Sequence, residues 1–291
     1  MLSPVKILRK TIVNALINRK TTINCEVLRK VSVPCSIDME HIIPPPAFVS
    51  AEVGLIDAYT IDILFDRALN ESKIPDNIDF IVNTSNPNAL YDMDENVYTE
   101  VTIGTQIWLV ENLKTTKYAD GSTIPLITDN TEWTNDITGG MCYYNNDVAN
   151  KAIYGSLYNW YAVDNVKGLA YITKNGVDQN YRVPTYADFT TLATYLGGGA
   201  VAGGKLKETG IIHWQTPNTG ADNSSGFTSL PGGARVSDFS AINQWNYLWT
   251  TDESTPATIK IAYTKYNIAD LMLNASFYKY YGASIRLVKD V

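Results

Sequence analysis

The chain has 291 residues, 45% of them hydrophobic and 18% charged, with a formal net charge of −7. That length allows two domains or one domain with attachments, and the ordinary apolar content sets aside a wholly disordered chain. The acidic balance argues against a nucleic-acid partner, and no apolar run approaches the ~20 residues of a membrane span, so no membrane insertion is expected.

A repeat comes first. RKTIVNALIN, RKTTINCEVL and RKVSVPCSID begin at Arg9, Arg19 and Arg29. Aligned, they place small or β-branched residues two apart: Thr11, Thr21 and Val31, then Val13, Ile23 and Val33, then Ile17, Val27 and Ile37. Alternation of this kind is the strand signature, because successive side chains point to opposite faces. Each repeat is expected to form one short strand with a turn near its Arg-Lys pair. Three such strands bury too little surface to stand alone, so residues 1–43 predict an oligomer, most simply a trimer. A disordered basic arm is the bland alternative, and the β-branched columns argue against it.

The next segment, residues 44–91, opens on Pro44-Pro45-Pro46, a stiff spacer. Residues 59–65 and 79–82 alternate like strands. The stretch Ile63-Leu64-Phe65-Asp66-Arg67-Ala68-Leu69-Asn70 resembles the opening of a bacterial Ig-like domain. A full sandwich takes about 100 residues, so a partial unit is expected.

From about residue 92 the texture changes. All six Trp and eighteen of the nineteen Tyr lie at or after Tyr91, which predicts a loop-rich domain pinned by large side chains. A helix is expected from Thr185, with Thr185 as N-cap, Asp188 three residues on, a stripe of Phe189, Leu192, Tyr195 and Leu196, and Gly197-Gly198-Gly199 as its stop. Tyr154, Leu157, Tyr158 and Tyr161 form a second apolar stripe. Pro231-Gly232-Gly233 reads as a forced turn anchored by Arg235 through buried hydrogen bonds.

Six blocks in this region carry a family resemblance: IGTQIWLVENLKTTKYADGSTIP, YGSLYNWYAV, RVPTYADFTTLATYLGG, AGGKLKETG with HWQTPNTGADNSSGFTSLPGGAR, YLWTTDES, and GASIRLVKD. In this order they resemble the major paralogous domain of Bacteroidetes (FISUMP) over residues 92–291. That resemblance implies an α+β, C-type-lectin-like head related to formylglycine-generating enzymes, with a small antiparallel sheet, one or two helices and long ordered loops. It also implies a disulfide that this chain has lost. The family cysteine before the "HVPT" block is missing, Arg182 takes the histidine position, and Leu287 stands in place of the cysteine near the C-terminus.

Catalytic chemistry is not evident. Residues 198–206, GGAVAGGKL, nearly fit a phosphate loop, but Leu206 stands where Ser or Thr would hold Mg²⁺, and the segment follows a helix. Cys25, Cys35 and Cys142 form no CxxC pattern, and His41 and His213 are far apart, so neither a metal site nor a cofactor is expected. No nucleophile–base motif stands out.

The C-terminal region instead offers Tyr, Trp, Asn and Ser, the residues recognition surfaces favour. Trp245, Asn246, Tyr247, Tyr266, Asn274, Tyr278, Tyr280 and Tyr281 are the candidate ligand-binding residues, with Trp249 and Tyr263 assigned to the core. In similar lectin-like folds this region carries the binding face. The opening twenty residues spread their charges and lack the apolar stretch of a secretory signal. The expectation is therefore a non-enzymatic bacteriophage fibre or appendage protein, assembled in the bacterial cytoplasm. Residues 1–43 would meet other virion proteins, and the head would bind a host-surface glycan or protein receptor. The alternatives are a bacterial cell-surface adhesin and a purely structural virion decoration protein.

Overall fold

The computed structural model describes residues 20–24, 48–53, 60–65 and 89–291. The chain divides into two compact units, Met1–Asn88 and Ala89–Val291.

In the first unit the alternating segments form strands β1 (Lys20–Asn24), β2 (Phe48–Val53) and β3 (Thr60–Phe65). Their order is β1-β3-β2, both pairings antiparallel, with Thr21 opposite Ile63 and Ile23 opposite Ile61. The strand from the second repeat thus joins the sheet of the segment expected to be separate from it. The first and third repeats, the triple proline, residues 79–82, His41, Cys25 and Cys35 lie outside the described residues.

The second unit opens with four short strands: β4 (Leu90–Tyr91), β5 (Val97–Tyr98), β6 (Glu100–Ile103) and β7 (Gln106–Leu109). Helix α1 (Asn130–Asn135) is capped by Asp129, whose carboxylate accepts from the Thr131 and Glu132 N–H groups. Strand β8 (Met141–Cys142), helix α2 (Ala149–Tyr154), strand β9 (Leu157–Tyr158) and helix α3 (Trp160–Val163) follow. The stripe of Tyr154, Leu157, Tyr158 and Tyr161 is therefore not one helix. Gly155, at φ 79°, ends α2; a Cβ there would meet the Leu113 carbonyl oxygen at 2.8 Å, and the chain then turns into β9 to pair with β8.

After β10 (Thr173–Lys174) and β11 (Val177–Asp178) comes α4 (Tyr186–Tyr195). Its capping box is complete: Asp188 N–H donates to Thr185 Oγ1, and Thr185 N–H donates to Asp188 Oδ2 at 2.6 Å. Phe189, Leu192, Ala193 and Leu196 face inward. Tyr195 does not; it is 65% exposed and lies against Gly104. Gly197 and Gly198, both at positive φ, end α4, and Gly199 begins α5 (Gly199–Leu206).

The main sheet follows, from β12 (Gly232–Arg235), β13 (Phe239–Ile242), β14 (Trp245–Thr255), β15 (Thr258–Lys265) and β16 (Leu271–Tyr278), in the order β13-β12-β14-β15-β16. The expected turn at Gly232-Gly233 is thus the start of a strand. Arg235 is fully buried, but it anchors a different segment, donating to the carbonyls of Ile127 (2.6 Å) and Thr128 (2.9 Å) and to Asn130 Oδ1 (2.7 Å). The last strand, β17 (Val288–Asp290), pairs with β7 and so joins the two ends of the unit.

Strand periodicity sorts the core into two layers. On one face Leu248, Ala262 and Leu271 pack with Phe189, Leu192 and Leu206 of the helices and with Trp108 and Phe227. On the other, Trp249, Ile259, Ile261 and Tyr263 pack with Tyr158, Trp160, Ile285 and Leu287. Leu287 is fully buried as an apolar residue, and its neighbour Val288 exchanges two backbone hydrogen bonds with Arg182, at 2.8 and 3.0 Å. Those bonds tie the C-terminal segment to residue 182 without a disulfide. The α+β class holds, but instead of the one or two helices expected there are five α-helices among the described residues, two of them of eight or more residues, and the main sheet is not wholly antiparallel, since β12 runs parallel to β14.

Candidate recognition face

Trp245, Tyr247 and Trp249 alternate along β14 and share one face of the sheet. Asn246, Leu248 and Thr250 share the other. Across from them, Tyr263 of β15 pairs directly with Tyr247, and Lys265 with Trp245. The rings of Trp245, Tyr247 and Tyr263 lie 5.2 to 5.8 Å apart, centroid to centroid. Phe277 of β16 continues the array, 4.7 Å from Tyr247 and 5.2 Å from Tyr281. Tyr281 then touches Tyr280 at 4.9 Å and Tyr278 at 5.5 Å, and Tyr278 stacks with Tyr280. One band of contacting rings therefore runs from Trp245 to Tyr278.

The band is partly open. Tyr278 is 47% exposed, and Trp245, Tyr247, Phe277, Tyr280 and Tyr281 are half-buried. Tyr263 is nearly covered, and its hydroxyl donates to Asn274 Oδ1 at 3.0 Å, holding that exposed side chain at the edge of the band. Burial raises the phenols of Tyr247, Tyr263 and Tyr281 above the ordinary tyrosine value, itself already well above neutral pH. Rings fixed in this way give large contact area at low entropy cost.

Of the eight candidates, Trp245, Tyr247, Asn274, Tyr278, Tyr280 and Tyr281 come together. Tyr266 lies in the turn after β15, tied by its backbone to Gln244 and Thr219. Asn246 is a correction. It is 1% exposed, on the opposite face of the sheet, with Nδ2 donating to Ser229 Oγ at 2.8 Å, so it cannot reach a ligand on the aromatic side. Trp249 and Tyr263 are core, as expected. Sequence reasoning missed Phe277 and Lys265. Their period-2 placement on β16 and β15 was the available signal, but it becomes readable only once the strand register is known.

Lys207 was also missed. It is fully buried, and its ammonium donates to the carbonyls of Thr219 (2.9 Å), Lys265 (2.9 Å) and Ile268 (2.8 Å). It clamps the turn that carries Tyr266 from beneath. Burial pulls its pKa down to about 8.

The remaining reactive groups are occupied. Cys142 is fully buried, and burial pushes its thiol up to about 12, far from the thiolate a nucleophile needs. His213 Nδ1 lies 2.8 Å from Glu208 Oε2. No cluster of three or more His, Cys, Asp or Glu able to hold a metal occurs among the described residues, and no described helix is long and apolar enough to cross a membrane. The phosphate-loop look-alike is α5 itself. Cβ atoms at Gly203 and Gly204 would meet the carbonyl oxygens of Asp270 at 2.0 Å and Gly220 at 2.3 Å, so these glycines allow close packing of helix on loop.

Fold and face together define an α+β domain with a ring-lined, half-open sheet surface. The sequence model of the family described as the Fibrobacter succinogenes major domain matches residues 101–289, and the chain belongs to that family. No curated protein and no solved structure matches the chain.

Proposed function

We propose that residues 92–291 form a non-catalytic, lectin-like recognition head. Its aromatic face binds a glycan or protein receptor on a cell surface, and residues 1–43 mount it on a bacteriophage fibre or appendage. The observation that carries this reading is the continuous, half-exposed band from Trp245 through Tyr247, Phe277 and Tyr281 to Tyr278. Aromatic side chains dominate recognition energetics, and their faces suit the weakly positive C–H groups of sugar rings. The lectin-like fold is supported by the pairing of the last strand, β17, with β7 near the start of the unit, beside β6, and by α4 and α5 packed on one side of the main sheet. In this reading the small three-stranded sheet described in the first unit packs against further copies, as a trimer, or against other virion proteins.

A bacterial cell-surface adhesin is the second reading, favoured by a family description that names a bacterium. In a third, the head is a structural decoration and binds no receptor. The test uses the labelled full chain on a glycan array and on candidate host cells, with antibody labelling of intact virions. Binding to cells or glycans together with labelled virions is the expected result. Binding with labelled bacterial surfaces but unlabelled virions selects the adhesin, and virion labelling without any binding selects decoration.

A further inference from the structure

Lys265 stands out on the recognition face. It pairs across the sheet with Trp245, and its ammonium lies 3.9 Å from the Trp245 ring centroid and 5.6 Å from that of Tyr263. Among the described residues the ammonium makes no ion pair and no hydrogen bond. Two other lysines on aromatic rings have an acid to hand: Lys279, over Trp160, pairs with Glu253 at 2.5 Å, and Lys289, over Tyr181, pairs with Glu100 at 3.0 Å; Lys260, over Tyr186 at 4.8 Å, has no ion pair among the described residues but lies on the opposite face of β15 from Lys265. A cation–π contact attracts the ammonium to the ring face but supplies neither a counter-charge nor an oxygen acceptor for its N–H donors. Lys265 is therefore a half-exposed cation, seated among rings, with its hydrogen-bonding capacity unspent.

On the reading that this face binds a ligand, we propose that the ligand is a saccharide carrying a carboxylate. Its carboxylate takes the Lys265 ammonium, and the apolar side of a sugar ring lies on the aromatic band beside it. One consideration favours a singly charged carboxylate over a more densely charged group: the chain carries a net charge of −7, which disfavours densely charged polyanions and suits a ligand whose single charges are spaced along a sugar chain. The backbone at this point is fixed, because Lys207 grips the Lys265 carbonyl from the other side.

The experiment compares binding of the full chain to galacturonate, glucuronate and sialate oligosaccharides with binding to the methyl esters of the same compounds. Esterification removes the charge and adds one methyl group while leaving the sugar ring unchanged. The acid of at least one pair is expected to bind about tenfold or more tightly than its ester, as one charge-assisted hydrogen bond allows. That difference should shrink with salt and vanish in Lys265→Gln, while Tyr247→Ala weakens acid and ester alike. Melting curves establish that each variant is folded, and the acid–ester comparison on the wild-type chain needs no variant. Equal binding of every acid and its ester overturns the proposal but leaves an aromatic recognition face in place. Failure of the chain to bind any acidic or neutral glycan or any candidate cell overturns both.

Discussion

Asp188 shows how much one side chain can carry. It closes the capping box of α4 and accepts from both terminal nitrogens of Arg182, which also reaches Asp290. Burial alone would raise its carboxyl, but the hydrogen bonds from Arg182 and Thr185 outweigh that and hold it at about 2. Since this lies below the ordinary 3.8, its stabilisation is present above pH 4 and is lost as pH falls towards 2. Asp188→Asn should lower stability by about 2–3 kcal/mol at neutral pH and flatten the melting-temperature decline between pH 4 and 2; an unchanged decline would contradict the assignment. Lys207 has the opposite sign. Its folded pKa of about 8 lies below the ordinary 10.5, so between those values the unfolded chain holds the proton more tightly, and stability rises with pH. A gain on the order of 1 kcal/mol from pH 8 to 9.5, absent in Lys207→Met, is the expected outcome of denaturant melts across that range. The same slope in the variant would assign the effect to another group.

The glycines of α5 belong to the scale of elements. Gly203 lies against the Asp270 backbone, with no room for a Cβ, so α5 can settle on the loop between β15 and β16 only if that position is bare. Gly203→Ala should push helix and loop apart at about 1–3 kcal/mol, read as a lower melting temperature, whereas Gly210→Ala, with open space around it but a φ of 79°, should show only the smaller strain of its backbone. Elements of this kind were legible in sequence where the signal is local. The capping box of α4 and the alternation behind β3 need only neighbouring residues. The stripe at Tyr154 failed because a helical spacing over eight residues also fits a helix end, a glycine break and a two-residue strand. The Gly232-Gly233 turn failed because β12 lies between an antiparallel and a parallel neighbour, and no local pattern announces those distant partners.

At the scale of the whole molecule, the composition shift near residue 92 and the six ordered blocks made the head visible. They could not show which side of each aromatic is bare. Asn246 sits between Trp245 and Tyr247 in sequence, yet the strand turns it into the opposite layer, against Ser229 and Thr264. Phe277, which links the Trp245 and Tyr278 ends of the band, drew no notice because it touches Tyr247 only through the pairing of β14, β15 and β16. The central claim is that this band is the binding surface, and a comparison of two variants tests it most directly. One replaces Trp245, Tyr247 and Tyr278 with Ala; the other replaces the exposed Val97 and Val148 and the half-buried Lys151 with Ala, away from the band. Binding of the folded full chain to a cell or glycan recognised by the wild type is measured for each. The account predicts that the first variant loses at least ~2 kcal/mol of binding, about thirtyfold, and that the second binds like the wild type. Full binding by the first variant, with loss in the second, would contradict it.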